Sequence, residues 1–362
     1  MSVSSLVPRY GSHLGAAERG PHGAFSSWPR YGAGGDSYDN AVAEARRLME
    51  ADRAQSTLRH YARDWAQFAG WVAEHHAEYA ALPAPAPLVG LYIGHLRVKR
   101  LAKSTILGRL AAIQYAHELA GLPSPLKEAM LRREIRGLRR QHDTARQKRE
   151  ALVREDASRA LANFPLNDLR DLRDRAIVAL AWCSALRRSN IAAMRVEDVR
   201  FRTDDIDGTR YLEIFVPRSK TDQEGIGRYV IVTELPGGDS LCAYRAVRAW
   251  LDASGVREGP LFRTFTLTPH AEHRKLTENA LDGGDVARAV KRVVAAIGLD
   301  PARFAAHSAR RGFVTSADAA GVRRSLIREQ GGWKDDRMIS TYTRLENVRD
   351  NALREMFKTA PR

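Results

Sequence analysis

Cysteine is scarce in this sequence: Cys183 and Cys242 are the only two in 362 residues. Two cysteines are too few for a disulfide framework or a cysteine-based zinc module, which favours a reducing compartment. No apolar run approaches the roughly 20 residues of a membrane span, and the N-terminus lacks the basic start and apolar stretch of a signal peptide. We therefore expect a cytoplasmic protein with no membrane partner.

Motifs for nucleotide and metal chemistry are also missing. There is no glycine-rich loop ending in Gly-Lys-Ser/Thr, no dinucleotide fingerprint after a strand, and no His-Glu-x-x-His. Two histidine pairs, His75 with His76 and His270 with His273, lack a third ligand at a useful spacing. The sequence therefore predicts a protein with no cofactor and no metal site.

Negative charge is in short supply. The chain has 58 Lys and Arg against 43 Asp and Glu, a formal charge of +15, and a pI of about 10.1. With 44% hydrophobic residues, a mostly disordered chain is excluded, and the length suits two domains. So basic a protein in the cytoplasm is expected to bind a polyanion, most commonly nucleic acid.

The apolar pattern divides the chain into four parts. Residues 1–41 are rich in Gly and Ser without a period, and predict a disordered tail. Residues 42–140 repeat apolar positions every three or four residues and predict a small helical bundle, interrupted by the prolines at 83, 85 and 87. Its third helix is expected to start at Ser104 or Thr105. Residues 141–150 are polar and predict a basic linker to a second domain, 151–362.

The second domain is predicted to be mainly α with a small β-sheet. Helical periodicity gives way to alternation over Tyr211–Pro217 and Arg228–Thr233, which predicts two strands joined by a polar turn. Helical patterning returns over Ser240–Ala253 and Asp285–Ile297, and from His307 to the end.

Positive charge is concentrated before the linker. The segment Arg97–Arg149 holds fourteen Lys or Arg against four acidic residues, which accounts for 14 − 4 = +10 of the net charge. Arg132, Arg136 and Arg139 fall at spacings that place them on one helical face. This pattern predicts a surface that follows DNA phosphates.

The last sixty residues carry three linked motifs. His307-Ser308-Ala309-Arg310 is followed 26 residues after His307 by Trp333 in a Gly-Gly-Trp turn, and Tyr342 lies nine residues beyond Trp333. Together they resemble the tyrosine recombinase (phage integrase) family, and particularly its Cre-like members. The resemblance implies that His307, Arg310, Trp333 and Tyr342 are catalytic.

Two further catalytic residues follow from the same resemblance. Arg187, in Ala185-Leu186-Arg187-Arg188, matches the family's first catalytic arginine, and Lys220 falls where the family keeps its β-hairpin lysine. The helical first domain resembles the family's SAM-like core-binding domain, which forms a C-shaped clamp on DNA with the catalytic domain. One departure is Asn190, where the family usually has an acidic residue; Asn can donate and accept hydrogen bonds but brings no charge.

The chemistry accounts for these residue types. A tyrosine can attack a phosphodiester and conserve its energy as a covalent ester. The fixed charges of Arg187 and Arg310 suit the transition state's non-bridging oxygens. Lys220 is the candidate acid for the leaving 5′ oxygen, and His307 the candidate acid/base. Trp333 can brace the phosphate through its indole N–H and pack the site.

By resemblance, the partner is double-stranded DNA with inverted-repeat half-sites. Protomers that are monomeric when free assemble into a homotetramer and exchange strands through a Holliday junction, and the helix at 347–358 docks on a neighbour. Fold analogy adds Lys103, Arg109, Arg245 and Arg288 as DNA contacts.

Three alternatives stay open. A type IB topoisomerase uses the same chemistry as a monomer, although the docking helix and the Cre-like spacing count against it. A catalytically silent DNA-binding protein would not need the whole constellation, and nothing positively suggests telomere resolution.

Overall fold

The computed structural model describes residues 55–141, 149–217, 227–266, 275–333, 335–337 and 339–340. The chain forms two compact units, residues 1–147 and 148–362. The predicted tail at 1–41 and the predicted docking helix at 347–358 lie outside the described residues, as do Lys220 and Tyr342.

The first unit is a helical bundle in its described part. Its helices are α1 (Gln55–His75), α2 (Ala86–Val98), α3 (Lys103–Leu119) and α4 (Ala129–Arg140). The third helix starts one residue before the predicted Ser104, and Pro85 precedes α2 at its N-cap. Large apolar side chains from all four helices are buried in one core: Phe68, Leu88, Val89, Ile106, Ile113 and Leu131.

His117 fixes the proline-rich turn to α3. Its ring is fully buried; Nε2 accepts from the Ala84 backbone N–H at 3.0 Å, and Nδ1 lies 2.8 Å from the Ile113 carbonyl. Since one nitrogen must accept and the other donate, the ring is neutral. Burial lowers the pKa of His117, and the hydrogen bond to Ile113 opposes this shift in part.

The second unit is mainly helical with two small sheets. Its helices are α5 (Arg154–Asn163), α6 (Leu169–Cys183), α7 (Arg188–Ala193), α8 (Ala243–Ser254), α9 (Gly283–Ala295), α10 (Ala306–Ala319) and α11 (Arg324–Gly331). Its strands are β1 (Val199–Thr203), β2 (Arg210–Val216), β3 (Arg228–Thr233), β4 (Arg263–Phe265) and β5 (Leu276–Ala280). Helix α6 runs through the middle of the core, against α8, α9 and α10.

The main sheet has three antiparallel strands in the order β1-β2-β3. Val230 pairs with Ile214, which pairs in turn with Val199, and all three side chains face the core. The sequence predicted β2 and β3 but missed β1, because Arg200 and Arg202 hide its alternation. Both arginines lie on the exposed face, 3.7 Å from the Glu213 carboxylate of β2.

The helical pattern predicted from His307 onward breaks twice in the described part, after Ala319 and again at the Gly-Gly-Trp turn after Gly331. Helix α10 ends at Ala319, and Gly321 adopts a positive φ of 73° before α11 begins at Arg324. This turn lets α11 pack its Ile327 side chain into the domain.

We expect acid to destabilise the first unit through His117. The group's pKa is lowered in the folded state, so the unfolded chain binds more protons as the pH falls below the ordinary histidine value of about 6.5. The free energy of unfolding of the wild type should therefore decrease on acidification from that pH downward. His117→Gln should have lower stability at neutral pH and a weaker decrease, as measured by urea unfolding across pH. An identical pH dependence in the two proteins would contradict the assignment.

Candidate active site

Helix α10 carries His307 and Arg310 one turn apart, and the irregular segment before α5, which contains Leu152, fixes its position. The Leu152 backbone donates to the Ser308 carbonyl at 3.0 Å, and the Leu152 carbonyl accepts from the Trp182 indole at 2.8 Å. A Cβ at Gly312 would lie 1.7 Å from that carbonyl oxygen. Only glycine at 312 therefore permits the Leu152 backbone to approach the helix so closely.

Arg310 is buried at the centre of the site. Its side chain is 2% exposed, and it donates a hydrogen bond to the Ala185 carbonyl. The guanidinium carbon lies 3.9 Å from the centroid of the Trp333 ring, a cation–π geometry. Ala185 adopts a left-handed φ of 51°, unusual for a residue with a side chain, two residues before Arg187.

Beneath these polar groups lies a small apolar cluster, which we name the signature cluster. It consists of Ala185, Val314, Ile327, Trp333 and Ile339, all buried. Each residue comes from a different part of the motif set: the Arg187 segment, α10, α11, the Gly-Gly-Trp turn, and the segment leading to Tyr342. Their joint burial brings these parts of the sequence together, and Ile339 stands three residues before Tyr342.

His307 lies in a strongly positive environment. Its pKa is lowered by burial first and then by the charges of Arg310, Arg311, Arg187 and Arg188. His307 is nevertheless exposed to solvent. An accessible imidazole that is neutral at pH 7 is equipped to accept a proton.

The Gly-Gly-Trp turn depends on both glycines. Gly332 closes α11 with a left-handed φ of 66°, the conformation that glycine adopts without strain. A Cβ on Gly331 would lie 1.6 Å from a carbon of the Trp333 ring. The indole therefore lies directly on the helix end, and the same ring contacts the Arg310 guanidinium.

Four of the six predicted catalytic residues are described, and the structure brings them together. Arg187 is the N-cap of α7, and its charge and that of Arg310 both lower the pKa of His307. Arg310 in turn lies against the ring of Trp333, a member of the signature cluster. Lys220 and Tyr342 lie outside the described residues. The Asn190 Oδ1, in the place of the family's acid, accepts from the Ser189 hydroxyl at 3.4 Å.

The predicted DNA contacts differ in their surroundings. Arg132, Arg136 and Arg139 are exposed on α4, opposite its buried Leu131 and Leu138. The other four candidates have hydrogen-bond or ion-pair partners within the protein.

Lys103 donates to the Arg139 and Gln141 carbonyls at 3.3 and 2.7 Å, and Arg109 donates to the Tyr92 hydroxyl at 3.2 Å. Arg245 binds Glu234 and the Leu235 and Asp239 carbonyls, and Arg288 pairs with Asp285 at 2.5 Å. Their roles in DNA binding stay predictions.

Sequence reasoning left out three residues that act on this site. Arg311 donates to the Arg149 carbonyl at 2.8 Å and, with Arg188, lowers the pKa of His307. Ala185 supplies the carbonyl for Arg310. Arg311 and Arg188 are adjacent in sequence to Arg310 and Arg187, and this adjacency could have identified them. The left-handed backbone of Ala185 has no sequence signal.

Within the described ranges, no three His, Cys, Asp or Glu side chains are grouped as metal ligands. None of the helices in that same part of the chain combines the length and hydropathy that a bilayer crossing requires.

Comparison with known proteins agrees with this arrangement. The model of the phage integrase family matches residues 151–349. The integrase/recombinase XerD homolog of Selenomonas ruminantium is 32% identical over 318 residues, 87% of this chain and 89% of that protein. Recombinase Cre of Escherichia phage P1 is 28% identical over 276 residues, 72% of this chain and 76% of that protein.

Solved structures share the fold at low sequence identity. XerH bound to difH in a pre-cleavage complex gives a TM-score of 0.54 at 13% identity, covering 81% of this chain and 79% of that one. A lambda integrase tetramer bound to a Holliday junction gives 0.52 at 13% identity, covering 84% and 76%. Since the family model spans more than half of the sequence and the XerD homolog matches most of it, the chain belongs to the phage integrase family of tyrosine recombinases, which are DNA strand transferases.

Proposed function

We propose that this chain is a site-specific recombinase that cleaves and rejoins duplex DNA through a 3′-phosphotyrosine on Tyr342. The observation that carries the proposal is the signature cluster, which unites the Arg187, His307–Arg310 and Trp333 segments and includes Ile339, three residues from Tyr342. A structural protein would gain nothing from burying Arg310 beside an accessible, neutral His307.

The proposed step is a transesterification. The Tyr342 oxygen forms a bond to phosphorus, the bond from phosphorus to the 5′ oxygen breaks, and the tyrosine proton passes to His307 as base. Lys220 gives a proton to the leaving 5′ oxygen, while Arg187 and Arg310 bind the non-bridging oxygens. The Trp333 ring packs against the Arg310 guanidinium. Rejoining is the same step reversed, with a 5′ hydroxyl as nucleophile.

The proposed assembly is a homotetramer on DNA with inverted-repeat half-sites, in which strands are exchanged through a Holliday junction. The lambda integrase of similar fold is a tetramer on such a junction, and XerH is bound to its difH substrate. In this proposal, residues 42–140 form a core-binding domain, 141–150 a basic linker, and 151–362 the catalytic domain. The exposed arginines of α4 contact phosphates, and the helix at 347–358 docks on a neighbour.

Tyr342→Phe should retain DNA binding and lose the covalent adduct, since only the nucleophilic hydroxyl is removed. Nicked suicide duplexes from the gene's flanking DNA, incubated without metal or ATP, should trap a denaturant-resistant adduct with the wild type alone. Adduct in the variant would mean that another residue is the nucleophile. Tight binding without any wild-type adduct would favour the catalytically silent alternative.

Arg188→Gln should shift the acid limb of the cleavage rate to higher pH. Removing a neighbouring positive charge raises the pKa of His307 toward its ordinary value, so a larger fraction of His307 is protonated, and inactive as a base, at a given acidic pH. The position of the acid limb is measured from rates of adduct formation across pH. Arg159→Gln, on the exposed face of α5, is the control that removes one positive charge elsewhere. A limb that stays in place, or moves to lower pH, would count against His307 as the base.

Replacing Arg132, Arg136 and Arg139 together by Gln should weaken binding and flatten its salt dependence. Each lost phosphate contact reduces the slope of log K against log salt by about 1, so the triple variant should lose about 3. Replacing Arg159, Arg200 and Arg202 by Gln gives the same change in net charge elsewhere. Equal slopes in the two triple variants would show that net charge, and not the α4 surface, sets the affinity.

A further inference from the structure

Gln330, the penultimate residue of α11, bridges two separate segments of the second unit. Its side-chain amide nitrogen donates to the Cys183 carbonyl at 2.9 Å and to the Ile231 carbonyl at 3.1 Å. An amide NH₂ has two hydrogens, so both are used in these bonds. The side chain is half-buried, and no other amino acid side chain of the same length offers two uncharged donors at one atom.

Both acceptors belong to segments that carry catalytic residues. Cys183 ends α6 and stands two residues before Ala185, whose carbonyl binds Arg310, and four before Arg187. Ile231 lies in β3, an edge strand that pairs with β2 and is the first strand after Lys220 in the sequence. One amide therefore connects the end of α11 to the Arg187 segment and to the Lys220 hairpin.

Arg228, the first residue of β3, makes the reciprocal contact. Its two terminal nitrogens donate to the Glu329 and Gln330 carbonyls at 2.9 and 3.1 Å. These are among the last carbonyls of α11, which have no partner within a helix, and a cation suits the negative end of the helix dipole. Burial and the charge of Arg187 lower the pKa of Arg228, which places the two guanidinium groups within electrostatic reach of each other.

The turn at Gly332 and Trp333 is held by Arg228 and by two backbone hydrogen bonds. A Cβ on Gly332 would lie 2.8 Å from the Arg228 Nε, so the guanidinium rests on the glycine backbone. Trp333 then donates its backbone N–H to the Arg328 carbonyl at 3.1 Å, and Gly332 donates to the Glu329 carbonyl at 3.2 Å.

We propose that Gln330 and Arg228 are positioning residues for strand cleavage, which hold the Trp333 turn and the chain toward Tyr342 in register with the Arg187 segment and the Lys220 hairpin. The inference rests on the proposed cleavage function. Neither residue touches the phosphate; each acts through the backbone carbonyls that it binds.

Gln330→Glu is the most direct test, because it preserves the size of the side chain and removes both donors. A carboxylate would face two carbonyl oxygens, and a displacement of about 1 Å in a reacting group costs up to about a hundredfold in rate. We expect adduct formation at saturating DNA to slow by about tenfold to a hundredfold, with the Kd for DNA unchanged. At lower pH the protonated acid regains one donor, so the ratio of variant to wild-type rate should rise.

Arg228→Lys provides a second variant that keeps the charge and loses the fork of donors. It should also slow cleavage at saturating DNA without weakening DNA binding. The matched controls are Gln67→Glu on the exposed face of α1 and Arg323→Lys just before α11, which should cleave at the wild-type rate. Thermal unfolding of each variant identifies any that fails to fold.

Hydrogen exchange of the free protein provides a readout that needs no DNA. The Gly332 and Trp333 amides should exchange faster in Gln330→Glu and Arg228→Lys than in the wild type, and at the wild-type rate in the controls. Wild-type cleavage in both variants, or unchanged exchange at these amides, would overturn the positioning role. A wild type that forms no adduct would instead overturn the proposed function, so the two failures are read from different measurements.

Discussion

The burial of the Arg310 guanidinium is the constraint on which the rest of the site depends. Arginine stays charged at any pH that the protein meets, and an uncompensated buried charge costs several kcal/mol. Here the compensation comes from the Ala185 carbonyl and the face of Trp333, which belong to two other segments of the chain. Folding therefore cannot bury Arg310 without assembling the Arg187 segment, α10 and the Gly-Gly-Trp turn. In the proposed function, the phosphate of the DNA backbone is the anion that completes the arrangement, and it meets a site that is already organised.

Backbone contacts do most of the positioning around this charge. Gly312 allows the Leu152 carbonyl to approach α10, and the Trp182 indole binds that same carbonyl from α6. At the other end of the site, Gln330 and Arg228 bind carbonyls of α6, α11 and β3. A backbone carbonyl is present whatever the side chain of its residue. Residues at a distance from the reacting atoms can therefore fix the geometry of the site through these carbonyls, even where the side chains at the acceptor positions differ.

The candidate catalytic residues could be read from the sequence more fully than the surrounding network. His307 and Arg310 lie one turn apart on a helix and Trp333 follows a glycine pair, so local patterning and family resemblance could single them out; their catalytic roles stay predictions. The strand β1 was missed because its arginines obscured the alternation, and the break at Gly321 was missed because apolar residues continue on both sides. The left-handed backbone of Ala185 and the two carbonyl bonds of Gln330 arise from segments far apart in sequence. No local pattern encodes such contacts, since they exist only once the whole domain is packed.

The central claim is that the described residues are assembled around one phosphate for attack by Tyr342. Mapping the trapped wild-type adduct tests it most directly: the complex is digested with nuclease and protease, and the residue carrying the nucleotide is located by mass spectrometry. The account predicts a single modified residue, Tyr342, joined to the 3′ phosphate of the cleaved strand. A nucleotide on any other residue, or a 5′ phosphate linkage, would contradict it.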